Sequence, residues 1–586
     1  QLVEIQKGAE NSCRRITKCY LPFCEPARLW VLRKRAYQGL ERIHLGKTRS
    51  RANLLRKAES MEIPNPASLS LAEVRAGIEY CRRRMHNMKQ NEKALRRAHL
   101  GNRLVLATDM GDKNKARAIR NIINREEKKS MFRRINRVTD DPKTGAITKV
   151  QKEVDGKIVN LTEQAAMTQE IQEVTEKRFE LAHSAPISTT SLATKLGYTS
   201  DTEFAEQLFA GTATIPDDVP DITALVMEEI IRLGMEVRHS GGEVLEITPE
   251  KFRRYWKQVK EGTSSSISSI HFGHYKAAAH SEKLTALLSR KITVVARAGL
   301  PPSRWGNGLQ VMLEKIAGVA LVNKLRSILL MEADYNFFNK WAFGYEAMNK
   351  LYEMGYVPEE HYSQRQSTSE DARMDTRLTN DLSRQLKHPY VTTSCDATNC
   401  YDAINHIVLA FLLLAITCWR GAVVSLLSPI QIMRFFQRTA FGDSATFMGG
   451  PDRETFLQGI CQGNGAGPAC WLMLSSALIH CYRKRGGGAK IISPISRAII
   501  SFIGTMFVDD TDLVSWLPNL TDAKKCFRDM QGSCLLWGTL LCASGGRFKP
   551  EKCYWSLIDY ECTDGKWDYA SMEPLEMLIP MPDGSF

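Results

Sequence analysis

The stretch 505-TMFVDDTDLVSW-516 places two adjacent acids, Asp509 and Asp510, between two apolar runs. Neighbouring carboxylates repel each other, and in a continuous strand their side chains would point to opposite faces of the sheet. The stretch therefore predicts a tight turn at the acidic pair. Two interpretations of this turn are open: a solvated hairpin tip, or a site at which a cation offsets the repulsion.

A third acid, Asp396, follows a β-branched run in 390-YVTTSCDATNCYDAINHIVLAFLLLA-415. Residues 391–393 predict a strand that leads into Asp396, and an apolar helix is expected after Tyr401. Taken alone, Asp396 is best interpreted as a cap of that helix. Asp402 is interpreted as structural, in a similar capping role.

Between these acidic positions lies a glycine-rich loop, 462-QGNGAGP-468, which leads into another apolar helix. Glycines such as Gly463, Gly465 and Gly467 let a backbone approach a ligand closely. A plain connection between two elements would have the same composition. The loop taken singly is therefore weak evidence for a site.

The positive charge of the chain is concentrated in one segment. The 586 residues have a formal net charge of +14, and residues 81–137 contain 18 Lys and Arg against 5 Asp and Glu. A solvated helical face usually mixes both signs, whereas this segment does not. The phosphate backbone of a nucleic acid is therefore the expected partner.

Size and composition restrict the class of protein. With 43% hydrophobic residues, the chain can bury several cores. The longest apolar run, residues 407–419, is 13 residues long, which is too short to span a bilayer, so no membrane partner is expected. The 15 cysteines include no CxxC pair, which favours reduced thiols in an intracellular protein, nuclear or cytoplasmic. Because the sequence begins at Gln1, we expect it to be a piece of a longer polypeptide.

The part of the chain before residue 223 predicts two regions. Residues 1–140 are typical of a basic helical extension, with few strand signals. Residues 141–222 predict a β-hairpin that turns at Asp155-Gly156, a helix capped by Thr162, and a small, polar linker over residues 183–220. The sequence that follows is mixed α/β and punctuated by glycine-rich motifs.

The order of the acidic and glycine-rich motifs resembles the palm of reverse transcriptases, and most closely that of non-LTR (LINE-like) retrotransposon enzymes. In this resemblance 396-DATNCYDAI-404 is similar to motif A, 462-QGNGAGP-468 to motif B and 507-FVDD-510 to motif C. The stretch 545-GGRFKPEKC-553 looks like motif D, and residues 311–340 resemble the fingers segment that binds the triphosphate. The resemblance covers roughly residues 267–555.

The resemblance implies an α/β (α+β) fold of the right-hand polymerase type. The expected divisions are the basic helical N-terminal extension over 1–140, the hairpin, helix and linker over 141–222, fingers over 223–390, and a palm with motifs A to D over 391–560. Residues 561–586 are expected to begin a thumb that is incomplete in this chain.

The resemblance also assigns the acids a chemical role. Asp396 and Asp509 would be direct ligands of two Mg²⁺ ions, with Mn²⁺ as a substitute, and Asp510 would complete the cluster or tune it. Such ions stabilise the attacking 3′-oxygen and the leaving pyrophosphate. Lys552 would act as the general acid, with Lys549 as a close rival.

Substrate-binding residues are implied in the same way. Lys315 and Arg326 would bind the triphosphate, although ordinary surface charges fit the loose spacing equally well. Tyr401 lies where the family places an aromatic ring under the incoming sugar, and core packing is compatible with that role. The loop residues Gln462 and Gly463 would contact substrate. Relatives often have an apolar residue and a serine in this loop where this chain has 464-NGAG-467.

The implied function is RNA-directed DNA polymerase of a retroelement, with an RNA template, a DNA primer or target DNA, and dNTPs. Two alternatives stay open. One is a catalytically inactive, retroelement-derived nucleic-acid-binding protein, and the other is an RNA-dependent RNA polymerase, which an aromatic gate at Tyr401 disfavours.

Overall fold

The computed structural model divides the chain into two units, Gln1–Lys143 and Thr144–Phe586. The structure describes residues 25–46, 50–90, 92–124, 147–241, 244–260, 266–268, 270–316, 318–398, 400–492, 496–516, 522–571, 573 and 575–580.

The described part of the first unit is helical. Its helices are α1 (Glu25–His44), α2 (Arg51–Glu59), α3 (Leu71–Gln90) and α4 (Glu92–Asp109), and residues 113–124 are also helical. Helix α1 packs against α2 and α3 around a small buried cluster that includes Leu40, Ala58 and Val74. The helices expected from the basic sequence are therefore present, and residues 1–24 and 125–146 lie outside the described residues.

The second unit opens with the hairpin expected around Asp155-Gly156. Strands β1 (Val150–Val154) and β2 (Lys157–Leu161) pair in antiparallel register. Asp155 and Gly156 have φ values of +49° and +73°, as a two-residue turn with both central residues in the left-handed region requires. The hairpin prediction is confirmed. Helix α5 (Gln164–Glu180) follows, but its N-cap residue is Glu163 rather than Thr162.

The stretch expected to be a linker, residues 183–220, is instead a packed part of the unit. It forms helices α6 (Ser191–Leu196) and α7 (Glu203–Phe209), and Leu192 and Leu208 are buried. The ring of Phe209 stacks on the ring of Phe411 with centroids 4.5 Å apart. The linker prediction is wrong because apolar residues are spaced among the small polar ones and bury a continuous face, which average composition does not reveal.

The remaining elements of the second unit are as follows. The helices are α8 (Asp221–His239), α9 (Pro249–Gln258), α10 (Phe272–Ala278), α11 (Glu282–Ala298), α12 (Ala333–Trp341), α13 (Met348–Glu353), α14 (Ser369–Leu386), α15 (His406–Thr417), α16 (Arg420–Gln431), α17 (Gly467–Lys484) and α18 (Ala523–Ala543). The strands are β3 (Asn307–Glu314), β4 (Leu325–Leu330), β5 (Tyr390–Asp396), β6 (Arg434–Thr439), β7 (Gly442–Gly449), β8 (Ala489–Ile492), β9 (Ile499–Phe502), β10 (Gly504–Phe507), β11 (Asp510–Ser515), β12 (Tyr554–Ile558), β13 (Tyr560–Thr563) and β14 (Lys566–Tyr569).

Two four-stranded sheets organise these elements. One has the order β10-β11-β5-β12 and is antiparallel throughout. The other has the order β4-β3-β6-β7, in which β3 and β6 are parallel. Strands β6 and β7 come from the range expected to be palm, yet they share a sheet with β3 and β4 from the range expected to be fingers, through the pairing of β6 with β3. Sequence ranges and sheets therefore do not coincide.

The core of the second unit is centred on the apolar run over residues 407–419, which is too short to span a bilayer. Helix α15 forms from this run, and all twelve of its residues are buried. It packs against α8, α16 and α17. Within the described residues, no helix combines the length and the apolar character needed to cross a bilayer. The architecture is a mixed one of helices and small sheets, in agreement with the α+β expectation.

Candidate active site

The three acids singled out in the sequence meet at one end of the β10-β11-β5-β12 sheet. In the antiparallel pairing of β5 and β11, Asp396 lies directly opposite Asp510. Facing residues of such a pair project to the same side of the sheet, with Cβ atoms about 4.5–5.5 Å apart. Asp509 precedes Asp510 in the turn that joins β10 to β11. The strands thus gather the carboxylates at one edge.

The turn that carries Asp509 is a two-residue loop with an unusual backbone. Phe507 pairs with Asp510, which leaves Val508 and Asp509 as the loop residues. Val508 has a φ of +61°, whereas Asp509 does not have a positive φ. This pattern is that of a type II′ turn, whose first loop position favours glycine. A β-branched residue there is strained, and such strain is concentrated at functional sites.

The interpretation of Asp396 and Asp402 as helix caps is wrong. The N-cap of α15 is Asn405, whose side chain accepts hydrogen bonds from the backbone N–H groups of Ile407 and Val408, at 3.0 and 3.3 Å. Asp396 instead ends β5, and Asp402 lines the cleft described below. Neither acid is therefore needed to satisfy the helix terminus.

The acids repel each other in a partly desolvated setting. Burial raises the pKa of Asp509, and the neighbouring charge of Asp396 raises it further. Burial also raises the pKa of Asp510, followed by the charges of Asp509 and Asp396. The ammonium of Lys552 opposes both shifts. The cluster thus favours a cation, as the second interpretation of the turn requires.

Lys552 is the cation that engages the cluster in this conformation. Its Nζ lies 2.8 Å from Oδ2 of Asp396, and this hydrogen bond raises the pKa of Lys552. Lys549, its rival, donates its backbone N–H to the carbonyl of Asp396 at 2.9 Å, and its Nζ lies 3.5 Å from Glu551. Both lysines line the same cleft, so either ammonium group is close enough to serve a substrate there.

Three carboxylates at one strand edge supply the hard oxygen donors that Mg²⁺ prefers. This donor set fits the expected metal chemistry, because burial and the neighbouring carboxylates raise the pKa values of Asp509 and Asp510, and a cation would oppose these shifts. In the described part of the chain, no three His, Cys, Asp or Glu side chains are already arranged as a metal site. A metal would therefore have to compete with Lys552 for Asp396.

The acids open onto a cleft of about 450 Å³. All of the site residues expected from the sequence line it, apart from Asp510 and Gly463. The expected residues in its wall are Lys315, Arg326, Asp396, Tyr401, Gln462, Asp509 and Lys552. The residues that the sequence did not indicate, or indicated only as rivals or structure, are Arg178, Leu325, Ser327, Ile328, Ala397, Cys400, Asp402 and Lys549.

The cleft also has a cationic wall, formed by Arg178, Lys315, Arg326, Lys549 and Lys552. Partial burial lowers the pKa of Lys315, and the charges of Lys549, Arg178, Lys552 and Arg326 lower it further. A lysine whose pKa is depressed by four other cations is in a region of excess positive charge. A ligand with several negative charges would relieve that excess.

Arg178 belongs to this wall, although it lies in α5, far upstream of the polymerase-like motifs. Its Nη2 donates to the carbonyl of Val322 at 2.6 Å, and burial lowers its pKa. No carboxylate among the described residues forms an ion pair with it. Arg178 could not be singled out from the sequence, because a single arginine in a helix is commonplace.

Tyr401 is half-buried and lines the cleft beside the acids. Its backbone carbonyl accepts a hydrogen bond of 2.6 Å from the N–H of Ile460, and its ring packs against the central core. The packing interpretation and the gate interpretation are therefore compatible, because the side chain packs partly on the core and the residue also lines the cleft.

The glycine-rich loop is docked on strand β4, and this close contact explains why position 463 is a glycine. Gly463 has a φ of +108°, and a Cβ at this position would lie 2.3 Å from the carbonyl oxygen of Leu329. The N–H of Leu329 donates to the carbonyl of Gln462 at 2.7 Å. Only glycine allows this close approach, which places Gln462 in the cleft wall.

Two asparagines of α12 fix the same loop. Asn336 donates to the carbonyl of Gly463 at 3.2 Å and accepts from the N–H of Gly465 at 2.6 Å. Asn339 donates to Oδ1 of Asn464 at 3.1 Å. Asn464 and Gly465 therefore have hydrogen-bond partners within this chain.

Comparison with known proteins gives no independent assignment. No protein-family model matches the chain, and no curated protein is similar to it. The function is therefore inferred from the side chains of the cleft and from the strands that position them.

Proposed function

We propose that the chain is an RNA-directed DNA polymerase that resembles the reverse transcriptases of non-LTR retrotransposons. It would add dNTPs to the 3′-hydroxyl of a DNA primer on an RNA template. The observation that supports the proposal best is the cross-strand pairing of Asp396 and Asp510, with Asp509 in the adjoining turn, at a cleft that is also lined by five cations.

Asp396, Asp509 and Asp510 would hold the divalent ions of such an enzyme. When bound, two Mg²⁺ ions, or Mn²⁺ in their place, would stabilise charge on the attacking and leaving oxygens. The acids would also orient the primer terminus, because their negative charges keep phosphate groups away from this edge of the sheet. Lys552, released from Asp396, would be free to donate a proton to the leaving pyrophosphate.

The cationic wall would bind the triphosphate. Lys315 and Arg326 supply charge from the segment that joins and forms β3 and β4, and Arg326 is exposed and can present its planar fork to phosphate oxygens. Tyr401 would lie against the sugar and exclude a 2′-hydroxyl. Gln462 and Gly463 would support the base pair through the docked loop.

A second function is favoured by one observation. The Lys552–Asp396 ion pair neutralises the acid that a metal would need, as expected for a nucleic-acid-binding protein without catalysis. An RNA-dependent RNA polymerase is the remaining alternative, and Tyr401 in the cleft argues against it because an aromatic ring there would exclude ribonucleotides.

Primer extension decides among these functions. The chain is incubated with an RNA template, a DNA primer, Mg²⁺ and either dNTPs or NTPs. Extension with dNTPs is expected. Extension with NTPs only would support the RNA polymerase, and tight template binding without any extension would support the inactive binding protein.

The basic segment 81–137 is proposed to contact the phosphates of template RNA or target DNA. Arg82, Arg83 and Arg84 are exposed at the C-terminal half of α3, whereas the side chains of residues 86–97 and residues 125–137 lie outside the described residues. Each single-strand phosphate contact should contribute about 0.7 to the slope of log affinity against log salt. Replacing the three arginines with Gln should flatten the slope of RNA binding, and an unchanged slope would make the segment a solvated helical face.

A further inference from the structure

The strained turn at Val508 has a side chain that holds it. The indole Nε1–H of Trp471 donates a hydrogen bond of 2.6 Å to the carbonyl oxygen of Val508. Trp471 belongs to α17 and is 3% exposed, so the indole is fixed by the core around it. A strained backbone persists only where its surroundings over-determine it, and this bond is such a constraint.

The bond determines how Asp509 is presented. The carbonyl of Val508 and the N–H of Asp509 share one peptide plane, which is rigid. If Val508 relaxed to a negative φ, that plane would rotate, the carbonyl would leave the indole, and Asp509 would move relative to Asp396 and Asp510. The register of Phe507 with Asp510 fixes the strands, so the loop is where this freedom remains.

The other edge of β10 is already held by backbone bonds. The N–H of Met506 donates to the carbonyl of Glu360 at 2.8 Å, and the carbonyl of Met506 accepts from the N–H of Tyr362 at 2.9 Å. Strand β10 is thus anchored up to Met506, and Trp471 supplies the next anchor, two residues further on. Helix α17 begins at Gly467, at the end of the docked loop, so it links the loop with the turn.

We propose that Trp471 is a positioning residue: its indole holds the strained Val508 turn and so places Asp509 in the cleft. The proposal rests on the proposed function for its effect on catalysis, but the hold on the turn is a property of the fold. A positioning role of this kind differs from a packing role, in which only the volume of the Trp471 ring would matter.

The test combines Trp471→Phe with Val508→Gly. Phenylalanine keeps an aromatic ring but removes the N–H donor, whereas glycine adopts a positive φ without strain. Trp471→Phe should lower kcat about 10- to 100-fold through misplacement of Asp509, with the KM for primer–template unchanged. Adding Val508→Gly should restore kcat to within about threefold of the Val508→Gly single variant, because the turn no longer needs a clamp.

Trp256→Phe is the matched control. Trp256 is fully buried, and its Nε1 has no hydrogen-bond partner among the described residues, so this variant loses ring volume without losing a bond. Equal effects of Trp471→Phe and Trp256→Phe, or no recovery in the double variant, would overturn the proposal.

The urea midpoint of unfolding gives a readout that does not depend on activity. Trp471→Phe should lower the midpoint more than Trp256→Phe does. Val508→Gly should raise the midpoint more in wild type, where the indole holds the strained turn, than in the Trp471→Phe background, where the turn has relaxed. If wild type fails to extend primers while this pattern holds, the proposed function falls and the clamp stands. If the pattern is absent, the clamp falls whatever the activity.

Discussion

Asp396 and Asp510 are direct cross-strand partners at the end of the β5–β11 ladder, and their side chains lie on one face of the sheet. Like charges at facing positions destabilise an antiparallel pair. Asp509, in the adjoining turn, adds a third negative charge, and its pKa is raised by burial and then by Asp396. The arrangement costs folding free energy unless a cation offsets the repulsion. The presence of three acids at this position is therefore better explained by function than by stability.

Conversion of any of these three acids to Asn should abolish primer extension. Loss of charge stabilisation worth several kcal/mol corresponds to a decrease in kcat of roughly 100- to 1,000-fold. Affinity for the RNA template should stay near that of wild type. The free energy of unfolding should not fall in Asp509→Asn and Asp510→Asn, because a repulsive charge has been removed, whereas Asp396→Asn also loses the ion pair with Lys552. Steady-state extension, filter binding and urea unfolding give the three quantities.

Asp512→Asn is the control for the acid variants. Asp512 lies on the same strand as Asp510 and faces Ser394, one step further from the cleft on that side of the sheet. Its change to Asn should leave extension within about threefold of wild type, since Asp512 lies away from the strand end and its charge is only a minor cause of the raised pKa of Asp510. A wild-type rate for Asp509→Asn would refute the metal assignment.

Shrinking Tyr401 should relax the choice of sugar. A 2′-hydroxyl would overlap the ring, and overpacking of a rigid site typically costs about 1–3 kcal/mol. This cost corresponds to roughly 5- to 150-fold discrimination. Tyr401→Ala or Tyr401→Val should therefore admit ribonucleotides and largely spare dNTP use, which is measured as the ratio of kcat/KM for dNTP to that for NTP.

Two outcomes would contradict the role of Tyr401. A wild-type preference for ribonucleotides would refute the reverse-transcriptase function itself. A wild-type preference for dNTPs that does not change in the variants would leave the function in place and reduce Tyr401 to a core residue.

Local chemistry explains which parts of this structure could be predicted from the sequence. The turn at Asp509 and the hairpin at Asp155-Gly156 follow from adjacent charges and from residues that tolerate a positive φ. The burial of α15 follows from its continuous apolar run. In each case the decisive interaction lies within a few residues of the chain, so the sequence alone contains it.

Long-range contacts explain what could not be predicted. Phe209 in the expected linker is buried because it meets Phe411, and nothing near Phe209 in sequence indicates that partner. Strand β6 joins β3 across a gap of more than a hundred residues of chain. Arg178 reaches the cleft only because α5 packs beside the turn at Val322. Such partners are decided by tertiary packing.

Asp402 should make stability depend on pH. Burial raises its pKa to about 6, although Arg178 and Lys315 oppose the shift. Because the folded pKa lies above the unfolded one, the contribution to stability is complete below about pH 4 and is lost as the pH rises through about 6. Asp402→Asn, which cannot ionise, should therefore be more stable than wild type at pH 8 by about 1–3 kcal/mol.

The measurement is urea unfolding of both proteins at pH 5 and at pH 8. The difference in the free energy of unfolding between Asp402→Asn and wild type should be larger at pH 8. Subtracting the free energy of unfolding of wild type cancels the contribution from titration of Asp509 and Asp510, because both acids are present in both proteins. A difference that does not change between the two pH values would mean that Asp402 is not desolvated in the cleft.

Arg178 should contribute to nucleotide affinity rather than to the chemical step. It shares the cationic wall with Lys315, whose pKa its charge helps to lower, and it has no ion-pair partner among the described residues. A hydrogen bond to a charged group is worth about 1.5–3 kcal/mol, or roughly 10- to 150-fold in affinity. Arg178→Gln should raise the KM for dNTP and the inhibition constant of inorganic tripolyphosphate by similar factors within this range, with kcat nearly unchanged. Arg178→Lys should retain part of the affinity, because it keeps the charge and loses the planar fork.

The matched control is Lys177→Gln, which removes an exposed cation from the neighbouring position of α5 and should change neither constant. An equal effect of Lys177→Gln would reduce the role of Arg178 to a general electrostatic one, and a fall in kcat alone would make it a support for the turn at Val322.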